Sequence, residues 1–188
     1  MLNKITRDFI KKGYFDTLSY ISIDDSDKKQ PISFFHSSKK SINFDGEVVK
    51  KKNIFEEKEL KGCDLLACKD NTIYLIEFKN STRRQLNKNQ KPALKQKASE
   101  SWMIIIKLLR DYKISLDEFF KKYKIVLIVI YKTSDNINSS KDKIHQHLTE
   151  KNKIIHFGLE RYQDFYDETI TVDKDTYLKK YNYFEEWQ

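Results

Sequence analysis

Three residues have the types and spacing to act together: Asp64, Glu77 and Lys79, within residues 62–80, GCDLLACKDNTIYLIEFKN. The segment reads as two short strands, 63–68 and 72–79, joined by a turn at Lys69-Asp70-Asn71. With Asp70 and Asn71 as the central turn residues, Cys68 lies opposite Ile73 and Leu66 opposite Leu75. Asp64 then lies opposite Glu77. Side chains alternate along a strand, so Lys79 shares the Glu77 face. Two like charges directly opposite are destabilising. Either a divalent cation bridges the carboxylates, or Lys79 alone neutralises them, or a longer turn shifts the register and no convergence exists.

The rest of the chain sets the terms for that patch. At 188 residues it is expected to form one domain, residues 1–188, with room for a sizeable core. Its 12 Phe and 11 Tyr argue against disorder despite 34% charged residues. A formal charge of +8 suits an anionic partner such as nucleic acid, or simply a lysine-rich solvated surface. Four Gly and two Pro leave no flexible linker and no glycine-rich phosphate loop. The first residues, MLNKITRDFIKKGYF, are amphipathic, so no signal peptide is expected. No apolar run approaches bilayer length, and a cytoplasmic location follows as the expectation. Cys63 and Cys68 are too few for a zinc or iron–sulfur site and read as buried thiols.

In chain order, residues 4–21 predict a first helix interrupted near Gly13, and a weak strand falls somewhere in 48–60, after a turn signal at Asp45-Gly46. After the hairpin comes a polar stretch carrying Arg83, Arg84, Lys88 and Lys91. Pro92 then marks a helix start. Leu94, Ala98, Trp102, Ile105, Leu109 and Tyr112 form its apolar stripe, with Lys95, Lys97, Lys107 and Arg110 largely off it. The unbroken run 125–130, IVLIVI, predicts a strand buried on both faces and joined in parallel through a right-handed crossover. A short helix near 142–148, a buried strand at 154–157, and a last helix from Asp173 to about Trp187 complete the order. Tyr177, Tyr181 and Phe184 face inward on that last helix.

This element order, with Cys63-Asp64 on one hairpin strand and Glu77-Phe78-Lys79 on the next, resembles the PD-(D/E)xK nuclease superfamily. The resemblance spans roughly residues 4–131. It implies a restriction-endonuclease-like fold: an α/β/α sandwich whose central mixed sheet combines an antiparallel hairpin with parallel strands. It further implies that Asp64 and Glu77, with the Phe78 backbone carbonyl, hold Mg²⁺, for which Mn²⁺ can substitute. Lys79 would position or help deprotonate the attacking water. Asn80 would orient ligands or a phosphate, and Arg83, Arg84, Lys88, Lys91 and Lys95 would hold the nucleic-acid backbone. The implied activity is hydrolysis of phosphodiester bonds, in DNA rather than RNA, by an endonuclease of a restriction, repair or phage-defence system. A homodimer or a partner subunit would supply specificity.

The chain departs from the family's pattern in places. The first helix carries Asp8 and Asp16 but no Glu, which leaves Glu47, Glu57 and Glu59 as candidates for a further acid. Gln96 is followed by Glu100, so the Gln-x-x-x-Tyr exonuclease pattern is unmatched, and the cysteine count excludes the iron–sulfur branch. His36, His145, His147 and His156 have no spacing that makes a metal site. Two rivals keep the same hairpin: a nucleic-acid-binding module that no longer cuts, and a protein-interaction scaffold.

Overall fold

Asp70 and Asn71 have φ of 46° and 60°, the left-handed geometry that a two-residue hairpin turn requires and that Asp and Asn tolerate. The computed structural model describes residues 2–24, 32–50, 60–133, 144, 147, 148, 151 and 154–180. It begins with α1 (Leu2–Lys11), β1 (Phe15–Thr17), α2 (Leu18–Ile21), β2 (Ile23–Asp24), β3 (Ile32–Ser33) and β4 (Lys40–Asn43). A π-helical turn, Phe44–Val49, precedes the hairpin of β5 (Leu65–Lys69) and β6 (Thr72–Thr82). Then come α3 (Arg83–Asn89), α4 (Lys91–Asp111), α5 (Leu116–Lys122), β7 (Lys124–Lys132), β8 (Glu168–Asp173) and α6 (Lys174–Lys180).

The expected register holds, with Cys68 paired to Ile73 and Leu66 to Leu75. Six strands form one mixed sheet in the order β1-β4-β5-β6-β7-β8. Pairing is antiparallel from β1 to β6 and parallel from β6 to β8. Strand β7 is buried along all but its ends, as its unbroken apolar run requires. Its Ile125, Leu127, Val129 and Tyr131 pack in one core with Phe9, Leu94, Ala98, Ile104, Ile105, Leu108 and Phe119. Val126, Ile128 and Ile130 pack in a second core with Leu18, Ile21, Phe34, Phe35 and Tyr177. Helices therefore cover both faces of the sheet. Among the described residues no helix is long and apolar enough to cross a membrane.

Several expectations are corrected. The helix over 4–21 is divided: Gly13, at φ 69°, ends α1, and the chain turns into β1 and α2. The strand before the hairpin is β4, while Val48 and Val49 are helical. Asp45-Gly46 is no hairpin turn, because the Asn43 side chain accepts the Gly46 N–H at 2.9 Å and caps the π-helical turn. Residues 51–59, with Glu57 and Glu59, lie outside the described residues. The 83–89 stretch, expected as polar chain, is helical. Residues 154–157 form no strand, since Phe157 and Gly158 turn the chain at φ 67° and 70°. The sixth strand is β8, whose Thr171 Oγ1 accepts the His156 N–H at 2.8 Å. Asp173 caps the last helix by accepting the Thr176 N–H at 3.0 Å. Tyr177 is buried, while Tyr181, Phe184 and most of the helix expected at 142–148 lie outside the described residues.

Because both central turn residues are left-handed, Asn71→Gly should raise stability by a few tenths of a kcal/mol to about 1 kcal/mol, and Asn71→Val should lower it by about 1–2 kcal/mol. Urea unfolding checks both; an unchanged slope with shifted midpoints is the expected result.

Candidate active site

Strand parity decides which residues can meet. Ile73 and Leu75 belong to the core under α4, so Glu77 and Lys79 face the same way, while Ile76 and Phe78 face the other core. Leu66 marks the α4 side of β5, which puts Asp64, two residues before it, on that side too. The Phe78 N–H donates to Asp64 Oδ2 at 2.7 Å and pins the carboxylate against β6. A strand residue's N–H and C=O project from the same edge, so the Phe78 carbonyl is on the Asp64 side.

The helix contributes a residue that sequence reasoning did not assign to the site. Lys97 of α4 donates from Nζ to Asp64 Oδ1 at 2.8 Å and to Glu77 Oε2 at 2.9 Å. Lys79 Nζ lies 2.8 Å from the other Glu77 oxygen, an ion-pair contact rather than a directed hydrogen bond. Two carboxylates and two ammoniums thus form one closed cluster, with the Glu77 side chain only 1% exposed.

Lys97 arrives there because α4 is clasped to the chain entering β5. The Cys63 N–H donates to Ser101 Oγ at 2.8 Å, and that hydroxyl donates to Cys63 Sγ at 3.2 Å. The Lys61 N–H donates to Glu100 Oε2 at 2.6 Å. Lys97 lies one turn before Ser101, on the stripe continued by Ile104 and Leu108, which are buried. Leu94, Ala98, Ile105 and Leu109 of the expected stripe are buried, but the inner face is wider and takes in Ser101, Ile104 and Leu108 as well, the side on which Lys97 lies. A lysine three residues after an apolar position and four before a buried serine was the available signal.

Electrostatics follows from burial and these contacts. Burial first, and then the Glu77 charge, push Asp64 up to about 7. Burial also pushes Glu77 upward, but Lys79 and Lys97 more than offset it and hold Glu77 below its ordinary value. The Lys79 ammonium is pulled down by burial, yet the Glu77 charge leaves it above its ordinary value. Lys97 is raised in the same way by Glu77 and Asp64 against burial. Both lysines are therefore held in their charged form beside Glu77. Burial pushes the Cys63 thiol far up, so it is no nucleophile.

The remaining expected residues are placed unevenly. Asn80 lies in the irregular end of β6, where the register shifts between Lys79 and Thr82. Arg83 and Arg84 open α3, with Arg84 exposed; Lys88 sits on α3, its side chain outside the described residues. Lys91 and Lys95 converge, their stems crossing Gly158 so closely that a Cβ there would meet Lys91 Cε at 2.8 Å and Lys95 Cε at 2.9 Å. Tyr162 holds this rim by donating to the Lys95 carbonyl at 3.0 Å. Among the described residues no third acid, His or Cys joins Asp64 and Glu77 closely enough to share a metal ion, Glu47 included. No family model, curated protein or solved structure matches the chain.

The folded Asp64 titrates near 7 against an ordinary value of 3.8. Folded protein then binds a proton that the unfolded chain has released, so the stability tied to protonated Asp64 is complete below the lower value. It declines as pH rises through the upper one. In EDTA, the melting-temperature advantage of Asp64→Asn over wild type should therefore be larger at about pH 8 than at about pH 5. Calorimetry across that range checks it, and a gap independent of pH would contradict the assignment.

Proposed function

We propose that the chain is a restriction-endonuclease-like, Mg²⁺-dependent nuclease that hydrolyses phosphodiester bonds of DNA. One observation carries the reading: oxygens of Asp64, the residue just before β5, and of Glu77 in β6 lie 2.8 and 2.9 Å from the same cationic nitrogen. Carboxylates placed to share one cation fit a hard divalent ion, whose preferred ligands are carboxylate and carbonyl oxygens. Asp64 and Glu77 would hold it, with the Phe78 carbonyl on the Asp64 side as a further donor. When bound, such an ion lowers the pKa of water and offsets charge on a phosphate.

The chain's own residues supply the rest. Lys79, two residues beyond Glu77 and on the same face, keeps its proton and so donates a hydrogen bond to the attacking water or a phosphate oxygen. The Phe78 N–H fixes the Asp64 carboxylate before any ligand arrives. Lys91 and Lys95 give the α4 rim a pair of charges suited to the sugar–phosphate backbone, with Arg84 and Arg83 opening the preceding helix. Nothing in this arrangement reads a base edge, so DNA rather than RNA, and a defence or repair role in the cytoplasm with a second copy or partner subunit, are parts of the proposal drawn from the sequence resemblance.

A specific feature also favours the non-cutting reading, in which the fold binds nucleic acid or protein: the two carboxylates are already matched by two ammoniums. Cleavage of supercoiled plasmid, linear duplex and single-stranded DNA separates the readings. Mg²⁺-dependent nicking or cutting should vanish in EDTA and fall at least about a hundredfold in Lys79→Ala and Glu77→Gln. Cleavage that survives either substitution, or folded wild type that cuts none of the substrates, would remove the nuclease assignment. Separately, Lys91→Gln and Lys95→Gln should each reduce the log–log salt slope of duplex binding by about one. An unchanged slope would place the contact surface elsewhere.

A further inference from the structure

We infer that Lys97 is the resident cation of this site and that a divalent metal binds by displacing its ammonium from between Asp64 and Glu77. The inference rests on the metal-site reading above and adds a positioning residue to it. Its basis is which oxygens are free to meet. Asp64 Oδ2 is engaged by the Phe78 N–H at 2.7 Å, and Glu77 Oε1 lies against Lys79 at 2.8 Å. The two oxygens that already hold a common ligand are Asp64 Oδ1 and Glu77 Oε2, both accepting from Lys97 Nζ.

Mg²⁺ sits roughly 2.0–2.1 Å from its oxygen ligands. An ammonium hydrogen-bonded to the same two oxygens occupies that space and repels the ion. The two cations are therefore exclusive at Oδ1 and Oε2. Exclusion has a use as well as a cost. Glu77 is nearly inaccessible to water, and without a cation bridging it to Asp64 the paired carboxylates would be destabilising. Lys97 keeps the apo site folded in metal-ready geometry. Once displaced, its ammonium is freed for an anionic ligand, so metal and phosphate binding should reinforce each other.

Lys79 provides the internal control, because among the described residues its ion pair is with Glu77, while Lys97 bridges both carboxylates. Calorimetric titration of the full chain with Mg²⁺ and with Mn²⁺ reads the effect without any turnover. Lys97→Met should tighten binding at least about tenfold, Lys97→Arg should stay near wild type, and Lys79→Met should tighten it by less than Lys97→Met. Metal binding by wild type with no gain in Lys97→Met, or an equal gain in Lys79→Met, would overturn the inference and leave the metal-site reading standing. No binding by wild type and Lys97→Met alike would overturn the metal-site reading itself, and the inference with it. Should Lys97→Met not fold, wild type alone decides: the slowly exchanging Lys97 ammonium signal in NMR should be present in EDTA and lost at metal saturation. Its persistence at saturation would overturn the displacement.

Discussion

Glu77 carries a charge at a position only 1% exposed, and most of the site's construction answers that constraint. An isolated carboxylate moved out of water costs several kcal/mol even after relaxation. Two ammoniums meet it, one from its own strand and one from the crossover helix. Lys79 can do so because a strand brings every second residue to the same face. Lys97 can do so only because α4 is held at the entry of β5 by Ser101 and Glu100. The same clasp seats Asp64 across from Glu77, so one set of main-chain contacts fixes both the acidic pair and its counter-charge.

That dependence explains what could be read from the sequence. The hairpin was legible because turn type and strand period are local: Asp70-Asn71 specifies a two-residue turn, and the register follows to Leu65 and Ile76, one residue short of Asp64 and Glu77. Strand β7 was legible because burial on both faces leaves an unbroken apolar run. Lys97 was not, because the buried face of α4 is wider than its apolar stripe: Ala98 and Ser101 are both buried, and Lys97 lies on the Ser101 side. The contact to Cys63 is carried by a buried serine, Ser101, which an apolar pattern does not mark. The edge of the parallel sheet was illegible for a different reason. Residues 154–157 are apolar apart from His156, yet the left-handed turn at Phe157 and Gly158 prevents a strand. The strand that forms instead, ETITVD, alternates Thr with Ile and Val, and its Thr171 accepts a backbone N–H rather than facing water.

Burial also separates the two cysteines and the tyrosines from the chemistry. Cys63 is adjacent to Asp64 but is a neutral thiol bonded to Ser101, so its part is to fix the helix. Tyr166 and Tyr162 bond carbonyls of α4 on the opposite flank, at Ala98 and Lys95. Between the Cys63–Ser101 contact and this tyrosine pair, α4 is held on two sides near its lysine-bearing end. Those contacts place the helix where Lys97 bridges the two carboxylates at 2.8 and 2.9 Å.

A cluster of four charges is a poor way to gain stability, since well-packed apolar residues of similar volume are often neutral or stabilising replacements for buried ion pairs. The surrounding core shows that this chain can pack such residues: Leu65, Leu75, Ile76 and Ile104 are fully buried nearby in the same elements. Retaining Asp64, Glu77, Lys79 and Lys97 at the junction of β5, β6 and α4 therefore argues for a role other than holding the fold, by the general rule that local rules are broken where function requires it. The asymmetry within the cluster sharpens the point. Lys97 spans both carboxylates while Lys79 meets Glu77 from the strand, so the two ammoniums are not equivalent counter-charges.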